Sequence, residues 1–542
     1  MLLAGGHSRV NPYRPSKGGV PIMNAIWKLL ASLRLTVVLL LLATVLVFLG
    51  TLAQVHEGLY DAQVRWFKSF VVTRRAGDVW WVLPVFPGGY TLGFALLFNL
   101  LAAHLQRFKL EWSKAGIHLT HGGILLLLAG QLATDLLARE SFLHFVEGES
   151  KNYSQAHRDF EVAVLFPDAG GKSEERFITF DSAALTGAKA IEHPDIPFRM
   201  TPVSGTYRPN ANIVTPDAAK QAVETGLTAM ARLESDYATP EGIRKKAEEA
   251  LTIPARLGIW KVALRGAGAK STEDVVAAAS ELAAKPETEA LLRKNLQTSF
   301  RKQMLMGFRR RVQMLSPEEE DQVEVAIAMR WLADELEAGR QPDLTQLKPL
   351  ASQGAGAKYL ALARAEGRGM DDRNLPMACV EIFSKKGGAS LGTWLLSPDL
   401  RPQEIEVEGV KYKVALRPQT FFYPFSLTLL KTTHEIYPGT DIPKNFQSRV
   451  RIENNATQER REVDIFMNNP LRYGGVTFYQ HQMGKVSPNG GKGTSQLQVV
   501  QNPSWITPYL GCLIVSVGMV WQFLEHLVKF VRRMSKRAAT QS

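Results

Sequence analysis

The sequence predicts an integral membrane α-helical anchor of four spans. A large extracytoplasmic, mostly β domain with a helical insertion completes the predicted fold. Three observations carry this expectation. The chain has 542 residues and a mean hydropathy of only −0.08, yet its apolar residues are gathered into four runs. Basic residues collect beside those runs on one side. The longest stretch between runs has β-like flanks around an Ala/Glu/Lys/Leu-rich middle. A many-span transporter would be apolar throughout; this profile is that of an anchored protein with a large water-exposed part.

The first run, 35–52, has about the length needed to cross a hydrocarbon core of roughly 30 Å. It lacks a clean cleavage site, so it reads as an anchor and not a signal peptide. The second, "TLGFALLFNLLAAHL" at 91–105, is shorter and weaker; the third covers 117–137. The fourth, 505–527, carries Trp505 and Tyr509 at one end and Trp521 near the other, as interfacial aromatic belts do. Positive charge sets the direction. The first 56 residues hold Arg9, Arg14, Lys17, Lys28 and Arg34 and no acid. The turn "RFKLEWSK" sets Arg107, Lys109 and Lys114 against Glu111 alone, and the tail carries Lys529, Arg532, Arg533, Lys536 and Arg537. With all four runs crossing, these segments share one side, which is then cytoplasmic. Arg74-Arg75 is the discordant feature. The expected organisation is 1–138 for the N-terminal segment and three helices, 139–504 for the extracytoplasmic domain, 505–528 for the fourth helix and 529–542 for a basic cytoplasmic tail. The location expected is the bacterial plasma membrane.

In the outer domain, "DFEVAVLF", "ERFITF", "KYKVALRP", "FSLTLL" and "SRVRIE" are short β-branched or aromatic runs separated by turn residues. The insertion, about 215–370, shows helix starts at "TPDAA" (Thr215), "TPEGI" (Thr239) and "SPEEE" (Ser316). In each a hydroxyl residue caps and proline takes the first helical position. Glu319, three residues after Ser316, completes a capping box.

The net charge of +12 comes with no helix-turn-helix, zinc finger or aromatic RNA-binding stretch, so nucleic acid is not expected as a partner. Cys379 and Cys512 are the two cysteines, without CxxC or CxxCH, and a disulfide between them is not expected. No nucleophile elbow, HExxH or phosphate-binding glycine loop is present. The chemistry-bearing signal lies in "IHLTHGGILLLLAG" at 117–130. His118 and His121 are one turn apart on one helix face, at the mouth of the third run. His104 ends the second run, and a short turn makes the two runs antiparallel neighbours. All three imidazoles are therefore expected near the cytoplasmic end of one hairpin, with His121 roughly 6 Å inside the run. An ionisable group within a span is costly unless it faces a protein interior. His121 is the deepest and is followed by Gly122-Gly123, which admit close approach of a helix or a flat ligand. It is the main candidate; His104 and His118 also fit as wetted interfacial residues. His434 and His481 in the outer domain read as structural.

Several stretches resemble the ResB (also CcsB) family of cytochrome c biogenesis proteins. They are "WKLLASLRLTVVLLLLATVLVFLGTLAQ", "HGGILLLLAGQLATDLLARESFLHFVEGES", "EIYPGTDIPKNFQSRVRIEN" and "MNNPLRYGGVTFYQHQ", with the last span, over about 24–165 and 405–530. The resemblance implies a subunit of a System II holocytochrome c synthase, without a complete active site of its own. It implies haem b as a cargo in transit, carried for export and for attachment to CxxCH. The partners implied are a CcsA-like protein with a WWD segment, apocytochrome c, membrane lipid and thiol-reducing thioredoxin-like proteins. Trp80-Trp81 is an isolated pair, so the WWD segment is not in this chain. The family's membrane histidine that ligates haem iron corresponds to His121, the second ligand coming from CcsA. Two other readings remain open: a haem-free extracytoplasmic scaffold or sensor, and a haem-bearing quinone-linked electron carrier.

Overall fold

The computed structural model describes residues 27–75, 82–107, 111–167, 176–250, 254–266, 275–367, 369–370, 372–439, 443–484 and 492–541. Arg9, Arg14, Lys17, Lys109 and Trp80-Trp81 lie outside them. The chain divides into two compact units, one of 1–154, 368–372 and 422–542, the other of 155–367 and 373–421.

The first unit begins with α1 (Leu33–Glu57), a short helical turn continuing as a π-turn (Gln63–Phe67), and a hairpin of β1 (Val71–Arg75) and β2 (Val82–Pro87). Next come α2 (Gly89–Arg107) and α3 (Ala115–Leu137), each covering one of the apolar runs. Then β3 (Arg139–Val146) and the start of β4 (Ser150–Leu165) lead out of the helices. The second unit holds β5 (Phe177–Asp181), β6 (Phe198–Pro202), β7 (Ala211–Val214) and the helices α4 (Pro216–Asp236), α5 (Pro240–Ala250), α6 (Pro254–Gly266), α7 (Val275–Ala283), α8 (Pro286–Met314) and α9 (Val323–Glu337). It continues with β8 (Leu360–Ala363), β9 (Ala378–Ser384), β10 (Ser390–Leu396), β11 (Gln403–Val407) and the start of β12 (Val410–Ile436). The chain ends in the first unit with the rest of β12, β13 (Pro443–Asn454), β14 (Glu459–Phe466), β15 (Leu471–Tyr473), β16 (Val476–Met483), β17 (Thr494–Gln501) and α10 (Thr507–Gln541).

Among the described residues three helices are long and apolar enough to cross a membrane: Leu33–Glu57, Trp112–Leu137 and Thr507–Arg537. Four were expected. A helix forms at the second run, but α2 has 19 residues and is not one of the three. Asn99, His104 and Gln106 dilute its apolar character. Asn99 is nevertheless only 1% exposed. Its amide donates to the carbonyls of Leu30 (2.6 Å) and Ser32 (3.2 Å), and its oxygen accepts from Thr36 Oγ1 (2.6 Å). It thereby satisfies backbone at the start of α1, where water is scarce. The fourth run forms a longer helix than expected: α10 runs through the basic tail as one element, and Lys529 pairs with Glu525 at 2.7 Å one turn back.

Glycine lets α3 and α10 approach. A Cβ on Gly116 would stand 2.7 Å from the Gly518 carbonyl oxygen, and one on Gly123 would stand 2.6 Å from Val515 Cγ2 and 2.9 Å from the Gly511 oxygen. Without a hydrophobic drive in lipid, such close backbone packing is what joins helices. At the outer end, Thr134 Oγ1 lies 2.8 Å from Ser504 Oγ and accepts from the Asn502 amide at 3.3 Å, which ties the β17–α10 turn to α3. Arg472 lies over the Trp505 ring at 4.9 Å.

The strands of the first unit run in the order β14-β13-β12-β4-β3-β17-β16-β15. Leu143, Phe145, Leu427, Val450, Ile465, Phe478 and Leu497, from six of these strands, are buried in one core. The sheet is curled almost to closure: Ser448 of β13 and Ser495 of β17 are not on neighbouring strands, yet their hydroxyls are 2.7 Å apart. A closed barrel of eight strands has an interior that side chains alone can fill, and strands on this nearly closed path bury their inward side chains in one core. The resemblance-bearing segments shape it. Gly474 and Gly475 both have positive φ (60° and 79°) in the tight turn between β15 and β16, as a two-residue hairpin requires. A Cβ on Gly474 would also press on Phe425 at 2.6 Å. In "VEGES", Glu147 accepts from the Thr432 hydroxyl and from the Thr432 amide, both at 2.6 Å, clasping the β3–β4 turn to β12. The Thr432 hydroxyl holds the Glu147 carboxyl below the usual carboxylate range.

In the second unit, Phe160, Val162, Phe198, Met200, Val380 and Ile405 belong to one β core, and the helices bury separate clusters around Trp260 and Leu332. Two of the three expected caps form: Thr215 Oγ1 accepts from the Ala218 amide (3.4 Å) and Thr239 Oγ1 from that of Gly242 (3.2 Å). At Ser316 only half of the capping box is present: Glu319 accepts from the Ser316 amide (3.1 Å), but the Ser316 hydroxyl donates to the Glu319 carboxylate, and the segment is a 3-10 turn that precedes a helix starting at Val323. The described α-helices of this unit lie between Pro216 and Glu337; the rest of the stretch expected to be helical, to about 370, holds short 3-10 turns and β8 instead. Cys379 is buried, which pushes its thiol up to about 11, and Cys512 is exposed; both are free. A thiol so raised is inert near neutral pH.

Candidate functional site

His104 sits in the last turn of α2, and His118 and His121 sit in the first two turns of α3. The hairpin brings the three rings together. His104 meets His118 edge to face at 5.1 Å between ring centres and meets His121 at 6.2 Å. All three are half-buried. His118 and His121 share the α3 face turned to α2, whereas Gly116, Gly123 and Gly130 form the face turned to α10. Gly122 and Gly123 therefore part company. Gly123 is taken up by helix packing, while a Cβ on Gly122 would meet nothing within 4 Å.

The turn beneath the cluster is anchored from α10. Trp521 stacks on Trp112 at 6.0 Å and its indole N–H donates to the Trp112 carbonyl at 3.3 Å. One turn of α10 further on, the Gln522 amide and His526 Nε2 are 2.8 Å apart. Trp521 was read from sequence as an interfacial aromatic, whereas Gln522 and His526 were not singled out; a histidine beyond an apolar run was the available signal. Among the described residues no three His, Cys, Asp or Glu side chains are set to hold a bare metal ion. Neutral imidazole nitrogen is in general a ligand that haem iron accepts.

A second polar constellation lies at the other end of the same hairpin. Asp135 of α3 accepts from Lys68 Nζ at 2.7 Å and from the Tyr90 hydroxyl of α2. An acid inside the third run was its sequence signal. In the β part, His434 and His481 pack on Phe446 (4.6 Å) and Phe142 (5.1 Å).

Three apolar helices of membrane-crossing length among the described residues, with a large mostly β part whose sheet is nearly closed, suggest a membrane protein. The comparisons narrow the class. Residues 404–493, from β11 to the loop before β17, match the model of the ResB-like family. The chain thus carries a ResB-like segment, and the family resemblance read from its motifs is the one found. It is also 30% identical over 135 residues to Protein NrfI of Wolinella succinogenes, a match that covers 25% of this chain and 14% of that protein. The three histidines lie outside 404–493.

Proposed function

We propose that this chain acts in cytochrome c biogenesis as the ResB-like subunit of a System II holocytochrome c synthase. It takes haem from the cytoplasmic side and helps to present it outside for attachment to the CxxCH thiols of apocytochrome c. The observation that carries this reading is the meeting of His104, His118 and His121 at one end of a membrane hairpin, in a chain with a ResB-like segment. The residues fit a flat iron-bearing substrate in their chemistry: the donors are imidazoles, and a Cβ on the neighbouring Gly122 would meet nothing within 4 Å. His121 would hold the iron, with His104 and His118 at its side. A CcsA-like WWD protein completes the site, with thiol-reducing thioredoxin-like proteins serving the apocytochrome. Cells deprived of the chain are expected to lose haem-stained c-type cytochromes while retaining b-type haem. Normal covalent haem in such cells overturns the reading and favours a scaffold or sensor.

The orientation proposed is four crossings of the bacterial plasma membrane, with 139–504 in the periplasm. Basic residues at both ends and in the α2–α3 turn support it. Reporter fusions are expected to be periplasmic at Ser316 and cytoplasmic after Ser542; a cytoplasmic signal at Ser316 reverses the scheme.

A further inference from the structure

Beside the Lys68–Asp135–Tyr90 network, at the end of the α2–α3 hairpin away from the histidines, is a cavity of about 280 Å³. Tyr90 and His104 are 14 positions apart on α2, about 21 Å along its axis, so the two sites are distinct. Phe67, Phe94, Leu97, Leu128 and Leu132 form apolar walls, and Gln63 and Gln131 bring side-chain amides to the same space.

We propose that this cavity binds the headgroup of a membrane quinone. The charges of Lys68 and Asp135 cancel each other, so the site has no net attraction for a phosphate, and the Asp135 carboxylate repels one. What remains is hydrogen-bonding capacity of both kinds. Lys68 Nζ carries three N–H groups, of which Asp135 takes one. The Gln63 and Gln131 side-chain amides have no protein partner among the described residues. Carbonyl oxygens of a quinone accept from these donors, and the hydroxyls of the reduced form donate to Asp135. Phe67, Phe94 and Tyr90 supply aromatic faces for the ring. The volume is at the low end for ligand sites and suits one substituted ring with its first tail units, not a tetrapyrrole. Entry is from the bilayer, with the isoprenoid tail lying along Leu97, Leu128 and Leu132.

Gly93 lines the cavity, and a Cβ there meets nothing within 4 Å, so a larger side chain can fill the space without disturbing the helix. The test uses full-length protein in nanodiscs of quinone-free phosphatidylcholine, a photoreactive azido-quinone and ubiquinone-1 as competitor. Saturable labelling of residues 89–97 and 128–135 is expected, displaced by ubiquinone-1. Gly93→Leu should reduce it at least tenfold, and Gln131→Leu, at an exposed position, several-fold. Labelling elsewhere, labelling indifferent to both substitutions, or displacement by phosphatidylglycerol or haem as readily as by ubiquinone-1 overturns the proposal.

Discussion

Replacing His121 by alanine is expected to strip haem from the complex purified with the CcsA-like partner, and to block cytochrome c maturation. Loss of an outer-shell partner already lowers metal affinity by about 10–100-fold, so loss of the ligand itself is expected to reduce haem content by at least about tenfold. The ring is half-buried in an apolar helix, where an uncompensated polar group is costly. On the proposed function, iron coordination would offset that cost. Both His121 and His118 face α2, and two rings on one face of one helix cannot bind opposite faces of a porphyrin. His118→Ala should therefore do little. Imidazole added to His121→Ala should partly restore the Soret absorption by occupying the vacant iron position. His104, which touches both other rings, is the internal competitor. Full haem loading of His121→Ala without added ligand would transfer the role to His104.

The second large effect is expected from two adjacent glycines. Gly123→Leu places its Cβ against Val515 Cγ2 and the Gly511 carbonyl, both closer than 3 Å, and a backbone oxygen cannot turn aside. The α3–α10 contact must open, at a cost of about 1–3 kcal/mol or more. Because α10 is joined to β17 and α3 to β3, that opening also strains the Thr134–Ser504–Asn502 ties. Lower thermal resistance in detergent and reduced membrane abundance are expected. Gly122→Leu, one residue away, points into open space and should leave both unchanged. Equal behaviour of the two variants would refute the α3–α10 packing through Gly123.

Much of the architecture was legible because its causes are local. Apolar runs produced helices that start close to where they were read, although the last extends through the basic tail to Gln541, and hydroxyl–proline pairs at Thr215 and Thr239 start helices because the cap and the fixed φ act within one turn. The meeting of His104 with His118 and His121 was also readable, since a short turn forces antiparallel neighbours. The second run, read from sequence as the shorter and weaker one, forms a helix that is not among the three long and apolar enough to cross, and only the fold reveals that Asn99 is spent on the backbone of α1.

By itself, then, the sequence determined the apolar helices, the β-flanked helical stretch, the histidine hairpin and the ResB-like motifs. The tertiary structure alone decided what each polar or small residue faces. It separated Gly122 from Gly123, curled the sheet until Ser448 met Ser495, and brought Lys68 to Asp135 and Tyr90 around a cavity. Those outcomes depend on pairings between residues far apart in the chain. Helical periodicity and capping act over one or two turns and carry no information about which distant partner a face will meet.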